Sequence, residues 1–304
     1  SGSRGAGPAD AATKKRRRAG GGKAGKGTKA AKARVHKRTP SFYEAPQFPV
    51  SQEGTMQGVP LLQGSASVDE WKEPYCCKFR VRGPDYLETR VKVTAEPALF
   101  HLVAVDKFSF EDPAEQTNIA PRSSKCVFDA GMSERDRQAN FTLVVCITPP
   151  SSRNISVVLY FRPLDPYWRT RNKRFTDLFD RFVNAEDDSY RNARFKLLPD
   201  IVKGPLVLRS ALRSRPAIPG KKVPIGYYSG NNWFEIDIDV SKAGKAKFIT
   251  SLALPIARNI VVDLGFLIEG QDPSELPEQI MGAIRFNKMD LTQLKFIPKG
   301  GSLD

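Results

Sequence analysis

The sequence predicts an α+β domain with a mainly antiparallel sheet and two principal packed helices, preceded by a disordered basic tail. Three observations support this. Strand-like apolar runs outnumber helical patterns and do not alternate regularly with them. Helical periodicity is clear in only two segments. The first 40 residues are strongly basic and contain almost no large apolar side chain. With 304 residues, 40% of them hydrophobic, the chain is long enough to bury a sizeable core.

Short apolar segments separated by Pro, Gly and charged residues are typical of β-strands. In the first half of the chain they cover residues 77–81, 99–105, 141–148 and 155–161. In the second half they cover residues 206–212, 223–228, 233–240, 260–269 and 280–289. The polar interval 109–140 has no clear period and predicts a long loop with room for a short helix.

Two helices are predicted. The first covers residues 172–185, with Asn172 as its N-cap, because apolar residues recur at helical spacing; these are Phe175, Leu178, Phe179, Phe182 and Val183. The second covers about residues 242–258, capped by Ser241 and kinked or ended by Pro255.

Composition separates a disordered basic tail (1–40) and a linker rich in Pro, Gly and Ser (41–70) from the body of the chain, which begins at residue 71. Net charge is 48 − 33 = +15, but residues 1–40 hold thirteen Lys or Arg and one acid, Asp10. The rest of the chain therefore carries only 35 − 32 = +3. The basic character belongs to the tail.

The tail lacks the apolar residues needed to offset the entropy of ordering a chain. It contains five consecutive cations, Lys14, Lys15, Arg16, Arg17 and Arg18. Such a run attracts an anionic membrane face, a nucleic acid or an import receptor, because each recognises clustered positive charge. A solvated tail with no specific partner is the remaining alternative.

The sequence also bears on the cellular compartment. No apolar run approaches the roughly 20 residues that cross a bilayer. The four cysteines, Cys76, Cys77, Cys126 and Cys146, lack metal-binding spacing, and we expect them to pack in the core of a protein in a reducing compartment. Together with the basic run of the tail, this leads us to expect a cytoplasmic protein peripheral to a membrane, with the nucleus as the alternative.

Acidic residues in the body form one candidate metal site. Glu235, Asp237 and Asp239 alternate with apolar residues, so on a strand they share one face and offer oxygen ligands to Mg²⁺ or Ca²⁺. The same alternation is typical of a half-buried strand whose acids are neutralised by facing basic residues. With only two histidines, His36 and His101, sites that need two imidazoles are not expected. We predict no catalytic residue, no cofactor and no enzymatic activity, a divalent-metal enzyme being the minor alternative.

A second candidate site consists of cations. Arg191, Arg194 and Lys196 alternate through one segment, and this spacing suits the binding of a phosphate or carboxylate group. We interpret them as candidate contacts to an anionic lipid headgroup. A solvated or internally paired face is the alternative.

Several motifs follow one another in a characteristic order: FRVRGPDYL (79–87), VVLYF (157–161), RNARFKLLP (191–199), PGK (219–221), NWFEIDIDV (232–240), VDLGFLIE (262–269), LPE (276–278) and GAIR (282–285). Together they resemble the C-terminal domain of the plant Enhanced Disease Resistance 2 proteins, over about residues 70–292. The resemblance implies a folded domain at 71–292, followed by a C-terminal tail at 293–304. The resemblance implies a domain of poorly defined activity that often follows pleckstrin-homology and lipid-transfer START domains in proteins that act at membranes and restrain cell death.

These observations lead to one functional hypothesis and one alternative. The first is a non-enzymatic lipid- or membrane-associated regulatory module, with an apolar lipid held between sheet and helix. Its expected partners are a lipid or anionic membrane surface and a protein, with nucleic acid bound only through the basic tail. The alternative is a nuclear or nucleic-acid-associated protein that is directed by its tail and uses its body for protein interactions.

Overall fold

The computed structural model describes residues 61–126, 133–212, 216–242, 244 and 254–304. Contacts divide the chain into residues 1–47 and residues 48–304, and every described residue lies in the second unit. The predicted basic tail and most of the predicted linker lie outside the described residues.

The described chain contains twelve strands, six α-helices and several 3₁₀ turns. The strands are β1 Trp71–Lys72, β2 Arg80–Arg82, β3 Lys92–Thr94, β4 Phe100–Phe110, β5 Thr142–Thr148, β6 Ile155–Pro163, β7 Phe195–Lys203, β8 Ile225–Ser229, β9 Trp233–Asp239, β10 Val261–Ile268, β11 Ile280–Asn287 and β12 Lys295–Ile297. The helices are α1 Tyr86–Thr89, α2 Glu134–Ala139, α3 Trp168–Arg171, α4 Lys173–Val183, α5 Asp188–Arg194 and α6 Leu206–Leu212.

Two larger sheets organise the domain. The first has six strands in the order β12-β4-β6-β5-β9-β8, and the second has four in the order β1-β11-β10-β7. Strands β2 and β3 form a separate antiparallel pair. Only β12–β4 and β5–β9 pair in parallel among the described strands. The predicted α+β class with mainly antiparallel sheets is confirmed.

Helix α4 packs on the six-stranded sheet through an aromatic cluster. The Asn172 side chain caps the helix by accepting a hydrogen bond from the Phe175 amide at 3.2 Å, as the sequence predicted. Phe179 lies at the centre of the cluster, with its ring centroid 5.6 Å from that of Trp168 and 5.7 Å from that of Phe100. The same core extends to Phe266 of β10, so it joins both larger sheets.

The opposite face of the six-stranded sheet is buried as well. Val103, Val144 and Tyr160 pack there against Ile119 from the long connection between β4 and β5 and against Leu303 near the chain end. Burial on both faces explains why the central strands are nearly continuous apolar runs, since neither face needs polar residues.

Both ends of the described unit add to this sheet. The Leu62 amide donates to the Val103 carbonyl at 2.9 Å, so residues 61–66 run beside β4. At the other end β12 pairs with β4, and Ile297 and Leu303 are buried. Residues 293–304, which the resemblance implies to be a tail, therefore contribute a strand and apolar contacts to the domain.

The prediction of a strand at 206–212 is wrong, because this segment forms helix α6. Strand β7 ends at Lys203, and Pro205 follows, which lacks the N–H that a ladder requires but suits a helix start. The Leu and Ala residues that follow are good helix formers. Only Leu208 is buried among the side chains described in α6.

The second predicted helix, 242–258, lies mostly outside the described residues. The described residues on either side form 3₁₀ turns, Val240–Lys242 and Leu254–Asn259. Within the described part of the chain, no helix is both long enough and apolar enough to cross a membrane.

Candidate functional site

The acidic residues of β9 form a buried carboxyl pair. Glu235 is 0% exposed, and its two carboxylate oxygens accept hydrogen bonds from the amides of Ile119 and Ala120, each at 2.7 Å. Asp237, one pleat further along, accepts from the Asn118 amide at 2.9 Å. Three successive backbone amides are thus held by two carboxyl groups.

The loop conformation at Asn118 makes this arrangement possible. Its φ of 52° is in the left-handed region, which Asn adopts more readily than most residues. The turn points the amides of 118–120 toward β9, where they form a concave anion-binding site of the kind called a nest. The pair therefore attaches the connection between β4 and β5 to the sheet.

Burial determines the charge of the pair. Burial, together with the neighbouring Glu235, raises the pKa of Asp237 from its ordinary 3.8 to about 9. Asp237 is therefore protonated at neutral pH.

Asp239 does not complete a metal site with the other two acids. It pairs with Lys242 at 2.9 Å and accepts a hydrogen bond from the Ser241 amide at 3.1 Å. No group of three His, Cys, Asp or Glu residues in the described ranges is arranged to hold a metal ion. A basic residue thus pairs with Asp239, as the alternative interpretation expects, whereas Glu235 and Asp237 accept hydrogen bonds from backbone amides.

The predicted headgroup contacts lie in an internal network. Arg191 donates to the carbonyls of Phe182, Val183 and Ala185 at 2.7 to 2.9 Å, which satisfies the free carbonyls at the end of α4. Its guanidinium also pairs with Asp188 at 2.8 Å. This cation stabilises the turn between α4 and α5.

Arg194 and Lys196 are paired with acids from the segment between β10 and β11. Arg194 lies 2.8 Å from Glu275, and Lys196 lies 2.7 Å from Glu278 and 3.3 Å from Glu269. These cations are thus internally paired, which was the alternative interpretation. Sequence alone could not identify their partners, because the acids lie more than 70 positions away along the chain.

The remaining reactive side chains are also in structural positions. His101 Nδ1 lies 3.0 Å from Glu73 Oε2. All four cysteines are free, with Cys126 and Cys146 buried, Cys76 half-buried and Cys77 exposed. Burial raises the pKa of the Cys76 thiol to about 12. The candidate tail contacts, Lys14 to Arg18, lie outside the described residues.

Two surface grooves stand out. One, of about 670 Å³, lies at the α4–α5 corner and is lined by residues that include Arg181, Asp187 and Tyr190. The other, of about 490 Å³, is lined in part by Asp106 and Lys125, which pair at 3.1 Å. Neither groove lies between α4 and the six-stranded sheet, where the aromatic rings described above are in contact.

The fold and these networks define an α+β domain whose acidic and basic side chains hold its loops to its sheets. The family model described as Protein ENHANCED DISEASE RESISTANCE 2, C-terminal matches residues 71–290. An Arabidopsis thaliana protein named Protein ENHANCED DISEASE RESISTANCE 2-like is similar to this chain, with 32% identity over 214 residues. No solved structure matches.

The chain therefore belongs to the Enhanced Disease Resistance 2 C-terminal family. The aligned region covers 70% of this chain but 28% of the Arabidopsis relative, so the chain corresponds to a minor part of that protein. Membership in this family fits a regulatory module.

Proposed function

We propose that the chain is a non-enzymatic regulatory module that binds anionic membrane surfaces through its basic tail, at a membrane facing the cytoplasm. The observation that carries the proposal is the distribution of charge. Residues 1–40 contain thirteen cations and one acid. In the folded domain, by contrast, the clustered cations Arg191, Arg194 and Lys196 are held by internal partners.

The tail run is the strongest candidate contact. Each Lys or Arg near an anionic leaflet contributes about 1 kcal/mol, so Lys14 to Arg18 contribute about 5 kcal/mol together at low salt. This attraction weakens as salt screens the charges.

The packing of the core supports binding at a surface over carriage of a lipid. A lipid between α4 and the six-stranded sheet would have to displace rings such as Phe100 and Trp168, whose centroids are 4.9 Å apart. The non-enzymatic part of the proposal is supported by Glu235 and Asp237, whose carboxyl groups bind backbone amides.

The proposal is tested by sedimentation of the full chain with vesicles of phosphatidylcholine, with or without 30% phosphatidylserine. We expect binding to the anionic vesicles only. Changing Lys14, Lys15, Arg16, Arg17 and Arg18 to Gln should weaken binding more than the matched control, in which five dispersed lysines become Gln: Lys23, Lys26, Lys29, Lys32 and Lys37. Equal binding to neutral and anionic vesicles would contradict the proposal.

The same run supports one alternative, a nuclear or nucleic-acid-associated protein. Five contiguous cations form the kind of short motif that import receptors recognise. A fluorescent reporter that carries residues 1–40 distinguishes the two. Nuclear accumulation that is lost in the Lys14 to Arg18 variant would favour the alternative, whereas accumulation at a membrane would favour the proposal.

A further inference from the structure

The corner between β7 and α6 exposes apolar side chains. Leu206 is 78% exposed and Val207 68% exposed, and Val202 at the end of β7 is exposed as well. These three residues lie within six positions of one another. The other large exposed apolar residues of the described chain are mostly far apart in sequence. We call Val202, Leu206 and Val207 the apolar tip.

The tip rests on a packed base. Leu208 is buried in a small cluster with Ile201 and Ile260, so the first turn of α6 is fixed to the sheet. The Arg209 amide donates to the Pro205 carbonyl at 3.1 Å, which closes that turn. The apolar side chains are therefore presented by an ordered corner at an edge strand, since β7 is the last strand of its sheet.

From the tip onward along the chain, the charged residues have one sign, and Asp200, just before the tip, pairs with Lys78 at 2.6 Å. No Asp or Glu occurs from residue 201 to residue 234, and this stretch contains six cations: Lys203, Arg209, Arg213, Arg215, Lys221 and Lys222. Lys203 lies between Val202 and Leu206, and Arg209 follows Val207. Both are exposed, and neither forms an ion pair with a described residue. This differs from Arg194 and Lys196, whose charges are neutralised internally.

From this juxtaposition we propose that the apolar tip inserts into the headgroup region of an anionic bilayer, with Lys203 and Arg209 in contact with lipid phosphates or carboxylates. A site that binds at a membrane surface needs apolar side chains that enter the headgroup region. It also needs cations that are attracted by the negative surface potential. The charge complementarity commits the surface to an anionic lipid over a neutral apolar partner. This inference rests on the proposed membrane function and assigns the part of the folded domain that meets the membrane.

The test places a reporter at the tip of the full chain. In a Cys77→Ser background, Leu206→Cys is labelled with the environment-sensitive fluorophore NBD, and Val68→Cys, 64% exposed on another element, is the control. With vesicles that contain 30% phosphatidylserine, the emission of the label at 206 should shift to the blue and be quenched by doxyl-labelled lipid. The emission of the label at 68 should stay that of a label in water. A label at 206 that remains in water on bound protein would overturn the inference.

A second measurement needs no label. The double variant L206S/V207S should partition onto the same vesicles about tenfold more weakly than the unmodified chain. Both residues are exposed, so its thermal unfolding should be unchanged. Equal partition of the two chains would overturn the tip assignment and leave the proposed function intact, whereas no partition of the unmodified chain would overturn both. A blue shift with poly-glutamate and none with vesicles would assign the tip to an acidic protein partner and overturn the inference.

Discussion

Lys196 and Glu278 form an ion pair inside the domain, with Nζ and Oε1 2.7 Å apart and neither side chain more than 4% exposed. Glu278 also accepts a hydrogen bond from the Arg82 amide at 2.8 Å. The pair connects β7 to the segment before β11 and to β2. Its charges are satisfied only by each other and by their few neighbours, so each depends on the other being present.

Removing one member of this pair should destabilise the domain strongly. Lys196→Met leaves Glu278 buried without its main cation, and we expect the free energy of unfolding to fall by about 3–5 kcal/mol. Urea unfolding followed by circular dichroism measures this. The control is Lys173→Met, which removes an exposed pair with Asp177 and should cost under about 0.5 kcal/mol. Equal losses in the two variants would contradict the role given to the buried pair.

The buried carboxyl pair predicts an unusual pH dependence. Because the pKa of Asp237 is raised to about 9, the folded chain keeps a proton that the unfolded chain loses above about pH 4. The free energy of unfolding is therefore greatest at acid pH, where both states carry this proton. It falls as the pH rises toward 9, by up to about 1.4 kcal/mol per pH unit. The Asp237→Asn variant has no titrating group at this position, so its free energy of unfolding loses this pH dependence. In urea unfolding from pH 5 to pH 8, the stability of this variant relative to the unmodified chain should increase with each pH unit.

Asp239→Asn provides the control, because the pKa of Asp239 moves in the opposite direction. Burial acts to raise it, but hydrogen bonds from Ser241 and Lys242 outweigh burial and lower it. Its contribution is present above the ordinary pKa and lost only at lower pH. From pH 5 to pH 8 this variant should differ from the unmodified chain by a constant amount. Parallel curves for both variants would show that Asp237 is not protonated in the fold.

The free thiols should differ sharply in reactivity. Cys77 is exposed, while Cys126 and Cys146 are buried and burial raises the pKa of both thiols. We expect one fast reaction with Ellman's reagent in the native chain and four after denaturation. Cys77→Ser should remove the fast reaction. A fast phase that persists in this variant would mean that another cysteine is accessible.

The aromatic cluster under α4 should dominate the stability of the core. Phe179 is fully buried and contacts several rings, so Phe179→Ala should lower the free energy of unfolding by about 3–5 kcal/mol. Phe296→Ala is the matched control, because Phe296 is 61% exposed and its loss should change stability by under about 0.5 kcal/mol. Comparable losses in chemical denaturation would contradict the packing described here.

Local sequence patterns predicted the elements that they encode directly. Helix α4 was predicted with its cap because Asn172 and the apolar stripe lie within one segment. Strand β7 was not predicted, because Lys196 and Asp200 interrupt its apolar pattern and their partners lie far along the chain. The apolar run 206–212 predicts a strand although it forms a helix, because periodicity cannot separate short strands from helices in apolar stretches.

The candidate site was predicted only in part for the same reason. Alternation along β9 correctly placed Glu235 and Asp237 on one face. Their partners, the amides of 118–120, belong to a polar loop with no recognisable signal and lie more than 110 positions away. A backbone amide has no sequence identity, so the role of these acids became visible only in the fold.

The most direct test of the account compares four chains on vesicles with 30% phosphatidylserine: the unmodified chain, the Lys14 to Arg18 variant, L206S/V207S, and the combination. If tail and tip contact one anionic membrane, each change should weaken partition, the combination should weaken it most, and neutral vesicles should bind none of the four. An unmodified chain that sediments equally with neutral and anionic vesicles would contradict the central claim.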